Sequence, residues 1–196
     1  TDTVGITSTD ANAALPANAA LVAGTNTFSI TPKTASSPTF TATDITNGTK
    51  TANTSPATTV NPGAFAKLQI LLPGETAAPG TATGKTGTPS AQTAGGAFNV
   101  VVNAVDANWN PVSSTDSVGI TSTDANASLP ANTALVAGTK TLSVTPKTAG
   151  SKTFTATDIT NGGMTANTSP ATTINAGAFT KLQILLPGET AAPGTA

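Results

Sequence analysis

The 196-residue chain contains no cysteine, no histidine, no tyrosine and no arginine. Without cysteine there is no disulfide framework and no thiolate nucleophile. Without histidine the commonest general base is missing. Charged residues make up 9% and the net charge is −1, against the usual quarter of a soluble domain, so no basic stripe exists to meet nucleic acid. No apolar run approaches the ~20 residues that cross a bilayer, and no signal peptide is legible. A serine–lysine pair stays conceivable, yet no motif brings the two together. The expectation is a chain that is not an enzyme.

What is abundant is threonine, 42 residues, with 18 Gly and 14 Pro. A Thr-, Ala-, Gly- and Asn-rich, charge-poor composition is shared with bacterial surface polymers and points to an extracellular or cell-surface setting. Low complexity alone would also allow disorder. The apolar residues, however, alternate along the chain.

An internal repeat sets the organisation. Residues 1–82 recur as 115–196, offset by 114, with 69 identities in 82 positions. Phe28/Leu142, Ile30/Val144 and Val60/Ile174 exchange apolar residues, as a packed core tolerates. Asn26/Lys140, Pro38/Lys152, Thr49/Gly163 and Lys50/Met164 change polarity freely and are expected at solvent-facing or turn positions.

Period-2 alternation predicts half-buried strands. Leu68, Ile70 and Leu72 share one face with Gln69 on the other. Phe98, Val100, Val102 and Ala104 oppose Asn99, Val101 and Asn103. Val118 and Ile120, Leu142 and Val144, and Phe154 and Ala156 alternate with Thr, Ser or Gly. No helical stripe is present: the best stretch, 125–138, is broken by Pro130 and reads as a loop that tucks Leu129 and Leu135 onto the core. Pro-Gly, Asn-Pro and Asn-Gly pairs separate the strands. The fold class is all-β, a sandwich built in tandem with a period of 114 residues. Residues 74–97 lack large apolar side chains and read as an extended surface loop or a segment along a sandwich edge.

The order KLQILLPG, TAGGAFNVVVNAVDANWNPV, VGITSTDANASLP, KTLSVTPKTAGSKTFTATD resembles bacterial immunoglobulin-like surface repeats of the invasin and adhesin type. Phe98–Val112 is similar to their second strand and following turn, and Thr148-Ala149-Gly150 with Phe154–Asp158 to a later strand. Two departures stand out: Trp109, where that turn usually has Gly, and the long 74–97 segment. The resemblance implies one complete immunoglobulin-like repeat at 64–177, the C-terminal part of another at 1–63, and the first strand of a third at 178–196. Residues 1–63 alone would expose their core and a sheet edge. Either the array continues beyond them, the simpler expectation, or another copy supplies the missing strands.

Chemistry-bearing candidates are few. Asp106, Asn108 and Asn110 place oxygen ligands at alternate positions like the start of a calcium loop, but Pro111 stands where the loop glycine belongs and Ser117 where its bidentate acid belongs. The competing reading is a turn in which Asp and Asn bond their own backbone; Asp124 or Asp158 could also join Asp106. Calcium is the one metal with any ligand set, and no other cofactor is expected. Gly80–Thr86 resembles a phosphate loop one residue short, without the strand-to-helix setting that would receive a phosphate. Glu75 and Glu189, the only glutamates, read as polar turn residues. Asn47, Asn53, Asn126 and Asn167 match the N-glycosylation pattern, which an Asn- and Thr-rich chain produces by chance.

Trp109, the sole tryptophan, and Phe65 and Phe179, each after a Gly-Ala pair, are the interface candidates. Partners are expected to be neighbouring repeats of the same chain or a homo-polymer, in a stiff array. The functional expectation is a stalk, sheath or filament; an adhesin or carbohydrate-binding module is the alternative. The paucity of aromatics favours the first.

Overall fold

A computed structural model describes residues 1–195. It is all-β, with no helix among those residues, and falls into two compact units. Unit 1 contains Thr1–Gly63 together with Ala78–Gly84 and Asn108–Asn110. Unit 2 contains Ala64–Ala77, Lys85–Ala107 and the chain from Pro111 onward.

In unit 1 the strands are β1 (Thr3–Ser8), β2 (Ala19–Ala20), β3 (Phe40–Asp44) and β4 (Asn53–Thr54), forming one antiparallel sheet in the order β2-β1-β3-β4. Their register pairs Val4 with Asp44 and Ile6 with Ala42.

Unit 2 continues with β5 (Lys67–Leu71), β6 (Glu75–Ala77), β7 (Lys85–Gly87), β8 (Gln92–Thr93), β9 (Phe98–Val105), β10 (Ser117–Ser122), β11 (Thr133–Ala134), β12 (Thr139–Val144), β13 (Gly150–Lys152), β14 (Phe154–Asp158), β15 (Asn167–Thr168) and β16 (Thr172–Asn175). One sheet has the order β11-β10-β14-β15 and repeats unit 1's register: Ile120 faces Ala156 as Ile6 faces Ala42. A second sheet, β12-β9-β5, supplies the other side of the sandwich.

The alternating residues meet between these two sheets. Leu68, Ile70, Val100, Val102, Val118, Val144, Phe154 and Ala156 are fully enclosed, and Phe98 stands edge-on to Phe154 with ring centroids 5.5 Å apart. Such an edge-to-face pair adds about 0.5–1.5 kcal/mol beyond area burial. Leu135 is buried and Leu129 packs against the cluster, so the Pro130 segment does tuck both leucines onto the core. β5 also meets the first sheet: Leu68 N–H donates to Thr165 O, and Ile70 N–H to the Asn167 side-chain oxygen.

Three expectations change. Gln69 does lie opposite Leu68 and Ile70 but is buried as well, its side-chain oxygen accepting from Asn103 at 2.9 Å. An amide can be buried when another amide satisfies it. Pro38 is buried rather than solvent-facing, as its apolar ring permits, while its counterpart Lys152 is half-buried. Residues 74–97 are not a single loop: β6 and β7 form a hairpin, its 78–84 tip belongs to unit 1, and β8 runs parallel to β16 along a sheet edge.

The repeat provides an internal control on why strands form. Thr139–Val144 is a strand because β9 pairs with it, whereas the matching Thr25–Ile30 forms only an isolated bridge. Phe154 is fully buried; Phe40, in the identical FTATD, is half-buried. Leu68 and Ile70 are enclosed, yet Leu182 and Ile184, in the identical KLQILL, are 88% and 85% exposed. Local sequence supplies the alternation, and the partner strand converts it into a buried face.

Candidate functional site

The feature built twice from the same residues is a loop corner after β1 and after β10. The carboxylate of Asp10 accepts from Asn12 N–H at 3.0 Å through Oδ1. Through Oδ2 it accepts from Lys33 N–H at 2.8 Å and Thr34 N–H at 3.0 Å. Asp124 does the same with Asn126, Lys147 and Thr148 at 3.2, 2.7 and 3.0 Å. One buried aspartate thus fixes two loops against each other in each unit.

Each corner holds a Pro-Gly turn. Asn12 Nδ2 donates to Pro79 O at 3.2 Å, and Asn126 Nδ2 donates to Pro193 O at 3.2 Å. Gly80 and Gly194 are pressed onto Thr34 and Thr148, and a Cβ on either glycine would overlap the threonine hydroxyl. Both glycines also have positive φ, +80° and +84°, a region costly to other residues. Glycine is therefore demanded here by close approach and by backbone conformation together.

Unit 1 adds a second contact. Asn110 Oδ1 accepts from Ala35 N–H at 2.8 Å while Nδ2 donates to Lys33 O at 2.9 Å. Gly80 N–H donates to Asn108 O at 2.7 Å. The Trp109 indole lies against Gly84, where a Cβ would overlap its ring, and Nε1 donates to Ala82 O at 3.2 Å. Trp109 has φ +67°. That region ordinarily favours glycine, and it marks Trp109 as a residue held against its backbone preference.

Each calcium candidate has protein partners. Asn110 commits both ends of its amide to the 33–35 loop, and Asn108 is exposed. Asp106 is buried with the charge of Lys67 within reach. Burial pulls the Lys67 ammonium below its usual range, opposed by the Asp106 charge, and Nζ donates to Ala107 O at 2.8 Å. Asp124 is occupied as the corner carboxylate. Asp158 accepts from Thr160 and Asn161 N–H through Oδ1, leaving a buried Oδ2 with no partner. Among the described residues no three acidic side chains converge.

In the phosphate-loop lookalike, Lys85 Nζ pairs with Glu75 at 3.1 Å and donates to Ile70 O at 3.1 Å. Glu75 is therefore a buried ion-pair partner that also holds its turn, Oε2 accepting from Leu72 N–H at 3.0 Å. Glu189, its counterpart, is exposed but keeps the local turn, accepting from Leu186 N–H at 2.7 Å. Phe65 packs against the core of unit 2, whereas Phe179 is 82% exposed. Asn126 and Asn167, two of the glycosylation matches, use their side chains to hold Pro193 and β5.

Sequence reasoning does not pick out Asn12 or Thr34, and it reads Asn126, Thr148 and the Pro-Gly turns in other roles: a glycosylation match, part of a strand motif, and strand separators. Their signal is identity between the copies, which 69 of 82 positions share, so it separates nothing.

Burial raises the pKa of Asp10 and Asp124, but hydrogen bonds from Thr34 and Lys33, or Thr148 and Lys147, and from the corner asparagine outweigh it and leave both values lowered. A depressed carboxylate contributes stability above its unfolded value and loses it as pH falls through the folded value. Melting temperature should thus hold steady down to about the ordinary value of 3.8 and then fall. Asp124→Asn should start lower at pH 7 and fall less steeply on acidification. An equally steep acid fall in both proteins would rule out Asp124 as a contributor.

No family model matches the chain, and neither does any curated protein. Among solved structures, surface layer protein SbsC domains 1–6 aligns at 15% identity and TM-score 0.39, covering 89% of this chain and 20% of that one. SbsC domains 4 and 5 align at 16% identity and TM-score 0.37, covering 89% and 70%. A longer SbsC fragment, residues 31–844, aligns at 15% and 0.38, covering 92% and 21%. The chain therefore spans about a fifth of the length of two of these three structures.

Proposed function

We propose that the chain belongs to a structural extracellular repeat protein that builds a surface stalk, sheath or filament from consecutive sandwich domains. The observation that carries this reading is duplication. The same Asp-Asn-Thr corner holds the same Pro-Gly turn in both copies, while the exchanged core residues remain apolar. What the two copies share is packing and loop geometry.

In this reading 64–177 is one full repeat, immunoglobulin-like in the sense of the resemblance. Residues 1–63 are the later part of the repeat before it, and 178–196 the opening strand of the next. The exposed Leu182 and Ile184 support it, since Leu68 and Ile70 in the same sequence are buried against β9. The partners are other repeats of the chain, and the setting is the cell surface or beyond. The side-chain inventory, without His, Cys or Arg, supports a non-catalytic role.

Electron microscopy of the native material tests this. Beaded or bundled fibres with a regular axial repeat are expected. Isolated globular particles, together with ligand capture on a glycan array, would replace the structural reading with the adhesin one.

A further inference from the structure

Compact units and sequence repeats do not coincide. Ala78–Gly84 and Asn108–Asn110 lie, by sequence, inside 64–177, yet they belong by contact to the unit of residues 1–63. We propose that each repeat carries a two-pronged plug, the Ala-Pro-Gly turn and the Asn of DANWNP, that seats in the Asp-Asn-Thr corner of the repeat preceding it. The plug and corner form a clasp whose contacts all lie within unit 1. The inference rests on reading the chain as an array.

The chemistry of the corner selects its ligand. Asn12 offers a side-chain N–H donor aimed at one carbonyl, that of Pro79. Thr34 leaves room for a Cα without a side chain, which only glycine supplies. Lys33 O and Ala35 N–H are an acceptor and a donor presented together, and a primary carboxamide such as Asn110 answers both at once. The match requires a carbonyl, a glycine and an amide in fixed order, and the 78–84 and 108–110 segments provide all three. Trp109 closes over Gly84 and ties the two prongs to each other.

The second corner repeats the first prong and shows where the other would go. Pro193 and Gly194 are seated on Asn126 and Thr148. Beside them lies a cavity of ≈ 450 Å³ lined by Lys147, Gly194, Thr195, Ala94, Gly95 and Gly177. Lys147 is the counterpart of Lys33, the residue whose carbonyl receives Asn110. The occupant is the Asn-bearing turn of a further copy of the repeat.

The experiment uses the full chain, in which Trp109 is the only tryptophan and sits within the clasp. Gly80→Val should unseat the first prong, shift Trp109 emission to the red and raise its acrylamide quenching about threefold, as local opening requires. Gly194→Val, the same change in the other corner, should leave Trp109 emission unaltered. Asn110→Ala, which adds no bulk, should speed amide exchange at Ala35 about tenfold while β10 and β14 amides keep their protection. Unchanged emission in Gly80→Val, or unchanged Ala35 exchange in Asn110→Ala, overturns the clasp. Neither result bears on whether fibres form, so microscopy can fail while the clasp stands, and the reverse.

Discussion

Phe154→Ala should lower the stability of unit 2 by about 3–5 kcal/mol, as deleting a fully enclosed aromatic does when the surroundings cannot collapse. Three sheet elements confine Phe154: β14 carries it, β10 flanks it with Ile120 at an adjoining register position, and β9 brings Phe98 edge-on at 5.5 Å. Its twin sharpens the test. Phe40 occupies the same FTATD sequence in the same register but is half-buried. Phe40→Ala should therefore cost roughly half as much or less, because less apolar area returns to water. Amide exchange at β14 and at β3 reads the two sites separately in one chain. Equal losses at both would mean that burial does not set the cost, and that Phe40 is covered in solution as Phe154 is.

That comparison also marks how far sequence could reach. The inward faces of β5, β9, β10, β12 and β14 follow directly from period-2 alternation, and they form the core observed. The Pro130 loop was legible because proline forbids the helix that its apolar residues would otherwise suggest. Pairing was not legible. Thr25–Ile30 and Thr139–Val144 carry nearly the same pattern, and only the one facing β9 becomes a strand. Alternation states which face will be buried, given a partner; it does not provide the partner.

The candidate site was hidden for a related reason. Asn12 and Pro79 are 67 positions apart, and Asn110 and Lys33 are 77 apart. Each is unremarkable in a chain crowded with Asn, Thr, Pro and Gly. Trp109 was visible as an oddity, a large ring in a glycine place. The reason lies in Gly84, whose missing side chain leaves the surface on which the ring rests. Pro38 and Gln69 failed for a simpler cause: a polar or turn-forming residue type was read as exposed, when ring apolarity or a satisfied amide allows burial.

The second large effect concerns a charge. Glu75 and Lys85 stand on the two arms of the β6–β7 hairpin, with side chains 1% and 13% exposed and a separation of 3.1 Å. Around them Leu72 N–H donates to Glu75 Oε2 at 3.0 Å, and Lys85 Nζ donates to Ile70 O at 3.1 Å. The pair thereby ties the hairpin to the end of β5. Lys85→Ala removes the cation but leaves the carboxylate enclosed with one backbone donor. Stranding a buried charge in this way costs about 3–5 kcal/mol, far more than the ~0–1 kcal/mol of an exposed pair. The double variant Glu75→Gln with Lys85→Met removes the stranded charge, keeps an acceptor for Leu72 N–H and preserves the apolar stem over β5. It should recover more than half of the loss, because replacing both members of a buried pair is often near neutral. Denaturant unfolding of wild type and the two variants measures both losses. A Lys85→Ala loss under about 1 kcal/mol would place the pair in solvent, whereas a double variant as damaged as the single would show that Lys85 acts by filling space, since its charge would then be irrelevant to the cost.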